Sequence, residues 1–158
     1  MAKGNGIIVT AGPRGRFLEG IVSGTPKPGT IMEIVSLDDN GEYTFQVYTP
    51  GSDGLRPIGP LCVLLLDELQ GRLATTAYST GDHCFCYVPL PGDELNVLLK
   101  DIAGSGDDHA FGELLIPESG SGKLIATTGT PEIEPFAVVT AVVDPLADTL
   151  AHVICTGY

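Results

Sequence analysis

Glycine and proline interrupt this chain so often that it has little room for long helices. Its 158 residues include 21 glycines and 12 prolines, with no Gly-X-Y period. Proline fixes φ and removes a backbone donor, and glycine admits positive φ, so together they mark turns. The runs between them have strand character. RFLEGIVS (16–23), the stiff turn GTPKPGT (24–30) and IMEIVSL (31–37) come first. Asn40-Gly41 is a hairpin signal, followed by period-two alternation of Tyr43, Phe45 and Val47 with Thr44, Gln46 and Tyr48. CVLLLDELQGR (62–72) reads as a buried strand to about Leu66. HCFCYVP, ELNVLL and HAFGELLIP follow TGD (80–82), PGD (91–93) and SGD (105–107). These three steps resemble one another as turn chemistry rather than as a long repeat. KLIAT (123–127), PFAVVTAVVD (135–144) and TLAHVICT (149–156) complete the set, with at most one helical turn in DPLADTL. The expected fold is all-β: a compact β-barrel or sandwich of about ten short strands with long turns. Residues 1–15 form an N-terminal arm or edge strand. Residues 16–158 form a single all-β domain, which allows two small β subdomains divided near 55–60.

PESGSGKL (117–124) has the look of a phosphate-binding loop. That motif needs glycine five residues before the Gly-Lys pair and a hydroxyl after it; this chain has Pro117 and Leu124 there. The segment downstream meets glycine and proline too soon for the helix the motif opens. The stretch is therefore read as a glycine-rich hairpin turn.

Charge and side-chain chemistry narrow the function classes. Eight Lys+Arg against twenty Asp+Glu leave a net charge of −12, and the basic residues stand singly, so phosphate neutralisation has no footprint. Nucleic acid is not an expected partner. No run of 18 apolar residues suggests a membrane span, and the start lacks the apolar core of a secretion signal, so synthesis in cytoplasm is expected. Cys62, Cys84, Cys86 and Cys155 lie in apolar runs and read first as buried thiols. Metal binding through His83, Cys84 and Cys86, or a disulfide involving Cys62 or Cys155, are the other readings. The acidic groups Asp38-Asp39, Asp93-Glu94 and Asp107-Asp108-His109 read as turn chemistry. No G-x-S-x-G or H-E-x-x-H motif is present, tryptophan is absent, and no catalytic residue, cofactor or metal site is assigned.

Tyr78–Asp82, PLPGDELNVLL (89–99) and residues 111–144, with FLEGIVSGTPKPGTIMEI at the front, carry a resemblance. Together they resemble the head decoration (capsid cement) proteins of tailed bacteriophages, over most of the chain from about residue 16. The resemblance implies an all-β subunit, often trimeric, on the outer surface of an icosahedral capsid, bridging capsomers. The implied partners are the major capsid protein and other copies of the chain, with neither nucleic acid nor membrane involved. It brings no catalytic residues. Another virion component, such as a head-fibre base or tail accessory protein, and a small β-barrel enzyme or ligand-binding protein using Asp107 and His109, are the alternatives.

GNGIIVTAG (4–12) is apolar at Ile7, Ile8 and Val9 between glycines. It is either the first strand of the protein's own sheet or an arm that adds a strand to a neighbour or the shell. Those three residues are the candidate partner-binding positions. In the arm reading, deleting residues 1–12 weakens shell binding and leaves the core folded.

Overall fold

A computed structural model describes residues 7–10, 15–49, 61–66, 73–100, 109–127, 135–140 and 149–156. The described residues contain no helix and eleven strands: β1 (Ile8–Thr10), β2 (Arg16–Ser23), β3 (Ile31–Leu37), β4 (Tyr43–Val47), β5 (Leu61–Leu64), β6 (His83–Val88), β7 (Glu94–Leu99), β8 (Leu114–Pro117), β9 (Leu124–Ala126), β10 (Ala137–Val139) and β11 (Thr149–Cys155). The fold is compact and all-β. β2, β3 and β7 have the bounds the sequence pattern gives, because each is framed by turn residues. Two expectations shift. β5 stops at Leu64, and β8 starts at Leu114 because residues 110–113 form a turn. SGD (105–107) and residues 144–148 of DPLADTL lie outside the described residues, and its last two, Thr149 and Leu150, open β11.

Strands β2-β4-β3-β5-β6 close a barrel. The remaining strands form a sheet ordered β1-β7-β11-β10-β8-β9, and a parallel contact between Leu99 and Leu124 joins β7 to β9. That contact makes a second ring of five, β7-β9-β8-β10-β11, with β1 added beside β7. The two rings have one topology. Each has a single parallel pair, β2–β4 or β7–β9, and otherwise antiparallel neighbours. Their registers also coincide. Met32 pairs with Val47 and Cys62 as Leu115 pairs with Ala126 and Ala137. Leu64 pairs with Cys86 as Val139 pairs with Val153, and Val22 with Phe45 as Leu99 with Leu124. The chain is thus a tandem of two equivalent five-stranded rings. β6 of the first leads to β7 of the second through residues 89–93.

The strand entrances share one device. Gly29, Gly81, Gly92 and Gly112 take φ between 82° and 92°. After each, Thr30, Asp82, Asp93 or Glu113 donates its N–H to the carbonyl three residues earlier. This is the arrangement of a turn with glycine in its third place. In three of them the fourth residue is acidic, and its carboxylate accepts the N–H of the first: Ser79, Leu90 and Ala110 donate to Asp82, Asp93 and Glu113 at 2.9, 2.8 and 3.2 Å. TGD and PGD are two of these turns. The third is FGE (111–113).

Period-two alternation sorts the core. Val22, Met32, Phe45, Cys62, Leu64, Cys84 and Cys86 fill the first barrel, with Tyr78 against them. The opposite face of the same strands is also apolar. Ile31, Leu61, Val63 and Tyr87 join Ile7, Tyr48 and the interior of the second ring in one cluster. A ring of this size alone buries only about 60% of its unfolded surface, so shared burial supports both halves.

The rings interlock through backbone. Tyr48 N–H donates to Ile31 O at 3.1 Å, but the pair opens there, and the 118–122 turn enters it. Ile31 N–H donates to Gly122 O at 2.7 Å, and Gly120 N–H to Tyr48 O at 2.8 Å. From the other side Leu98 N–H donates to Gly29 O at 3.0 Å. PESGSGKL is therefore the β8–β9 hairpin turn, and it also docks the second ring on the first. A Cβ on Gly122 would lie 2.4 Å from Ile31 O, and its φ is +63°. Gly122→Ala should cost about 2–4 kcal/mol in urea or thermal unfolding, combining left-handed backbone strain with a backbone clash. Gly41→Ala, at φ +84° with open space around the missing Cβ, should cost only about 1–2 kcal/mol.

Candidate functional site

The N-terminal segment pairs within the chain. Ile8 and Thr10 of β1 lie opposite Leu95 and Glu94 of β7, and Asn96 N–H donates to Ile7 O at 2.6 Å. Ile7 is 3% exposed and belongs to the shared core. Of the three candidate partner-binding residues, Ile7 is thus occupied inside the molecule, while Ile8 and Val9 lie in a strand of its own sheet. Deleting residues 1–12 removes a core side chain and uncovers the edge of β7. Ile7→Ala should cost about 2–4 kcal/mol of unfolding free energy, as buried large-to-small changes do.

The thiols are buried in two places. Cys62, Cys84 and Cys86 share the first barrel's interior, and Cys155 belongs to the second ring; all four are free and buried. His83 points the other way, exposed and 3.4 Å from Glu42, because neighbours in a strand face opposite sides. It is therefore not gathered with Cys84 and Cys86, and no metal-holding group of three or more His, Cys, Asp or Glu occurs among the described residues. Burial pushes the Cys86 thiol well up, and hydrogen bonding to Cys62 and Cys84 adds to it. Burial, then the negative charge of Asp93, pushes Cys155 up to about 12. Nucleophilic chemistry needs the thiolate, which this environment suppresses. The folded protein keeps these protons when the unfolded chain, with thiols near pKa ~8.5, would lose them. Stability should therefore fall as pH rises above ~8.5. At pH 8 a thiol reagent should modify Cys86 and Cys155 slowly in the native protein and rapidly in denaturant, as read by mass spectrometry.

The buried polar groups are mostly tied into turns and strands. Asp93 accepts from the Tyr87 hydroxyl at 2.6 Å and from Leu90 N–H, which fastens the passage from one ring to the next. Glu33, fully buried, accepts from the Gln46 side chain and from Thr49 N–H. His152 Nε2 lies 2.8 Å from Glu94, and its Nδ1 meets the Thr140 hydroxyl. His109 Nδ1 lies 2.9 Å from Glu113, while its buried Nε2 has no partner among the described residues. Asp107 lies outside the described residues. Lys100 and Ser121 both bond Glu118 at the docking turn, holding its carboxyl below the usual range, the lysine contributing most. That brace is present near neutral pH and is lost as acid protonates Glu118. A groove of about 420 Å³ runs between the β2–β3 and β8–β9 turns, lined by Lys27, Thr30, Leu98, Ser121 and Lys123 among others.

A second unassigned feature is apolar, and the duplication reveals it. In the first ring, Ile31 pairs with Val63 and Val63 with Tyr87, a cross-strand row with each residue 0% exposed. The equivalent row in the second ring is Leu114, Val138 and Ile154, paired in the same register. Leu114 is 42% exposed, Val138 and Ile154 are partly buried, and Phe111 in the adjoining turn is 73% exposed. The surface that docks the second ring on the first thus has a partly exposed counterpart on β8-β10-β11. Sequence reasoning misses this row because each member occupies an ordinary alternating strand position. In comparisons with models of known protein families and with curated proteins, the chain finds no match.

Proposed function

We propose that this protein is a structural subunit of a tailed-bacteriophage virion that binds the outside of the icosahedral capsid and stabilises it by bridging capsomers. The observation that carries the reading is the partly exposed apolar row Leu114–Val138–Ile154 with the exposed Phe111 beside it. A cement protein needs a rigid scaffold that presents contact surface, and apolar surface concentrated on one face serves that purpose. The resemblance of residues 78–82, 89–99 and 111–144 to head decoration proteins supports the same role. Those segments supply the carboxylate-closed turns, the docking turn and part of the apolar row.

In this reading the partners are the major capsid protein and two further copies of the chain in a homotrimer, with no nucleic acid, membrane or cofactor. The protein catalyses no reaction. It is made in the host cytoplasm and resides on the capsid's outer surface. A stable protein interface buries roughly 1,200–2,000 Å² in total, and three subunits acting together convert modest contacts into lasting occupancy. With −12 on each subunit, trimer contacts rest on apolar and backbone groups, so salt should alter the trimer little.

Light scattering followed by co-sedimentation with expanded, DNA-free heads of its phage tests the proposal. A trimer should pellet with heads and raise their melting temperature. A monomer that stays in the supernatant refutes it, and pelleting with tails instead transfers the protein to another part of the virion.

A further inference from the structure

The second ring repeats not only the apolar row of the first but also its opened strand pair. Thr127 N–H donates to Leu114 O at 3.0 Å, matching the bond from Tyr48 to Ile31. Gly112 N–H to Val139 O and Val139 N–H to Glu113 O likewise match Gly29 to Leu64 and Leu64 to Thr30. In the first ring the remaining groups of the opened pair, Ile31 N–H and Tyr48 C=O, are taken by Gly122 and Gly120. Among the described residues, Leu114 N–H and Thr127 C=O have no such partner. The second ring therefore offers a donor and an acceptor at the edge of a partly exposed apolar row, in the register that receives a glycine turn in the first.

We infer that Leu114, Thr127 and the flanking Phe111, Val138 and Ile154 form a docking site for a glycine-bearing turn of another protein. The intramolecular junction defines the occupant. It must present an N–H and a C=O two residues apart, as Gly120 and Gly122 do, and carry no Cβ at the latter position. Another copy of this chain does not meet that need. Its 118–122 turn is already seated in its own junction. Its equivalent turn, 38–42, keeps one glycine, Gly41, but carries Asp38, Asp39 and Glu42, and the strand register puts Tyr43 where Gly122 stands. Those carboxylates would meet Glu113 beside the row. The first ring's free end is thus polar and the second's apolar, which stops head-to-tail growth and leaves the apolar site to a different polypeptide. On the proposed function, which this step relies on for the partner's identity alone, the turn belongs to the capsid shell.

Two experiments separate the site from its partner. A cyclic peptide containing residues 117–124 is titrated to millimolar concentration against the isotope-labelled protein. The amides of Leu114 and Thr127 should shift, and Leu114→Asp should abolish the shifts; no shift in the wild type overturns the docking site. In head co-sedimentation, Leu114→Asp should weaken binding at least tenfold with unchanged melting temperature, while Leu37→Asp, at an exposed position in the first barrel, should bind as wild type does. Equal binding by Leu114→Asp overturns shell docking at this site. Wild-type protein that shifts with the peptide but ignores heads removes the capsid reading and upholds the site.

Discussion

The opened strand pair at Ile31 and Tyr48 is where the two rings lock together. An edge N–H and C=O buried without partners would each cost about 1–3 kcal/mol. Here the second ring supplies both missing groups through Gly122 and Gly120. The same docking covers Ile31, Val63 and Tyr87, so backbone satisfaction and apolar burial occur together. Neither ring has an interior large enough to make the other dispensable. The two halves behave as mutually dependent repeats, each giving the other a face it cannot cover alone.

The equivalence of the rings gives meaning to their differences. Interior positions keep size and polarity rather than identity: Cys62 stands opposite Met32 as Ala137 stands opposite Leu115. Outer positions diverge according to what covers them. Tyr87, fully buried at the junction, donates to Asp93, whereas Ile154 in its counterpart remains partly open. The 118–122 turn carries two glycines where the chain must approach Ile31 closely. The 38–42 turn, where Glu42 lies 3.4 Å from the exposed His83, has Asp38 accepting backbone N–H bonds from Asn40 and Glu42. One supersecondary plan is thus tuned to a closed junction on one side and a charged free end on the other.

Side-chain chemistry follows from the same architecture. The first barrel's interior combines the large Phe45 and Met32 with smaller side chains, and cysteine fills the smaller positions as a small hydrophobe. Burial suppresses thiolate at Cys86 and Cys155. Carboxylates at Asp82, Asp93 and Glu113 are committed to closing turns. These thiols and carboxylates thus serve packing and turn closure.

The sequence by itself determined the local elements. Proline and glycine placement, Asn40-Gly41, and alternation within RFLEGIVS and ELNVLL specify strand bounds, because these effects act over a few residues. It also determined that PESGSGKL is a turn, and that the cysteines belong to apolar strands. Only the tertiary structure decided that the strands close two rings of equal register, since a period-two pattern says which residues share a face but not which strand lies alongside. The repeat left little trace in the sequence because matching positions need similar volume rather than the same residue. The difference between Ile31 and Leu114 was equally invisible. Both are apolar strand residues beside a glycine turn, and only long-range packing buries one and leaves the other exposed.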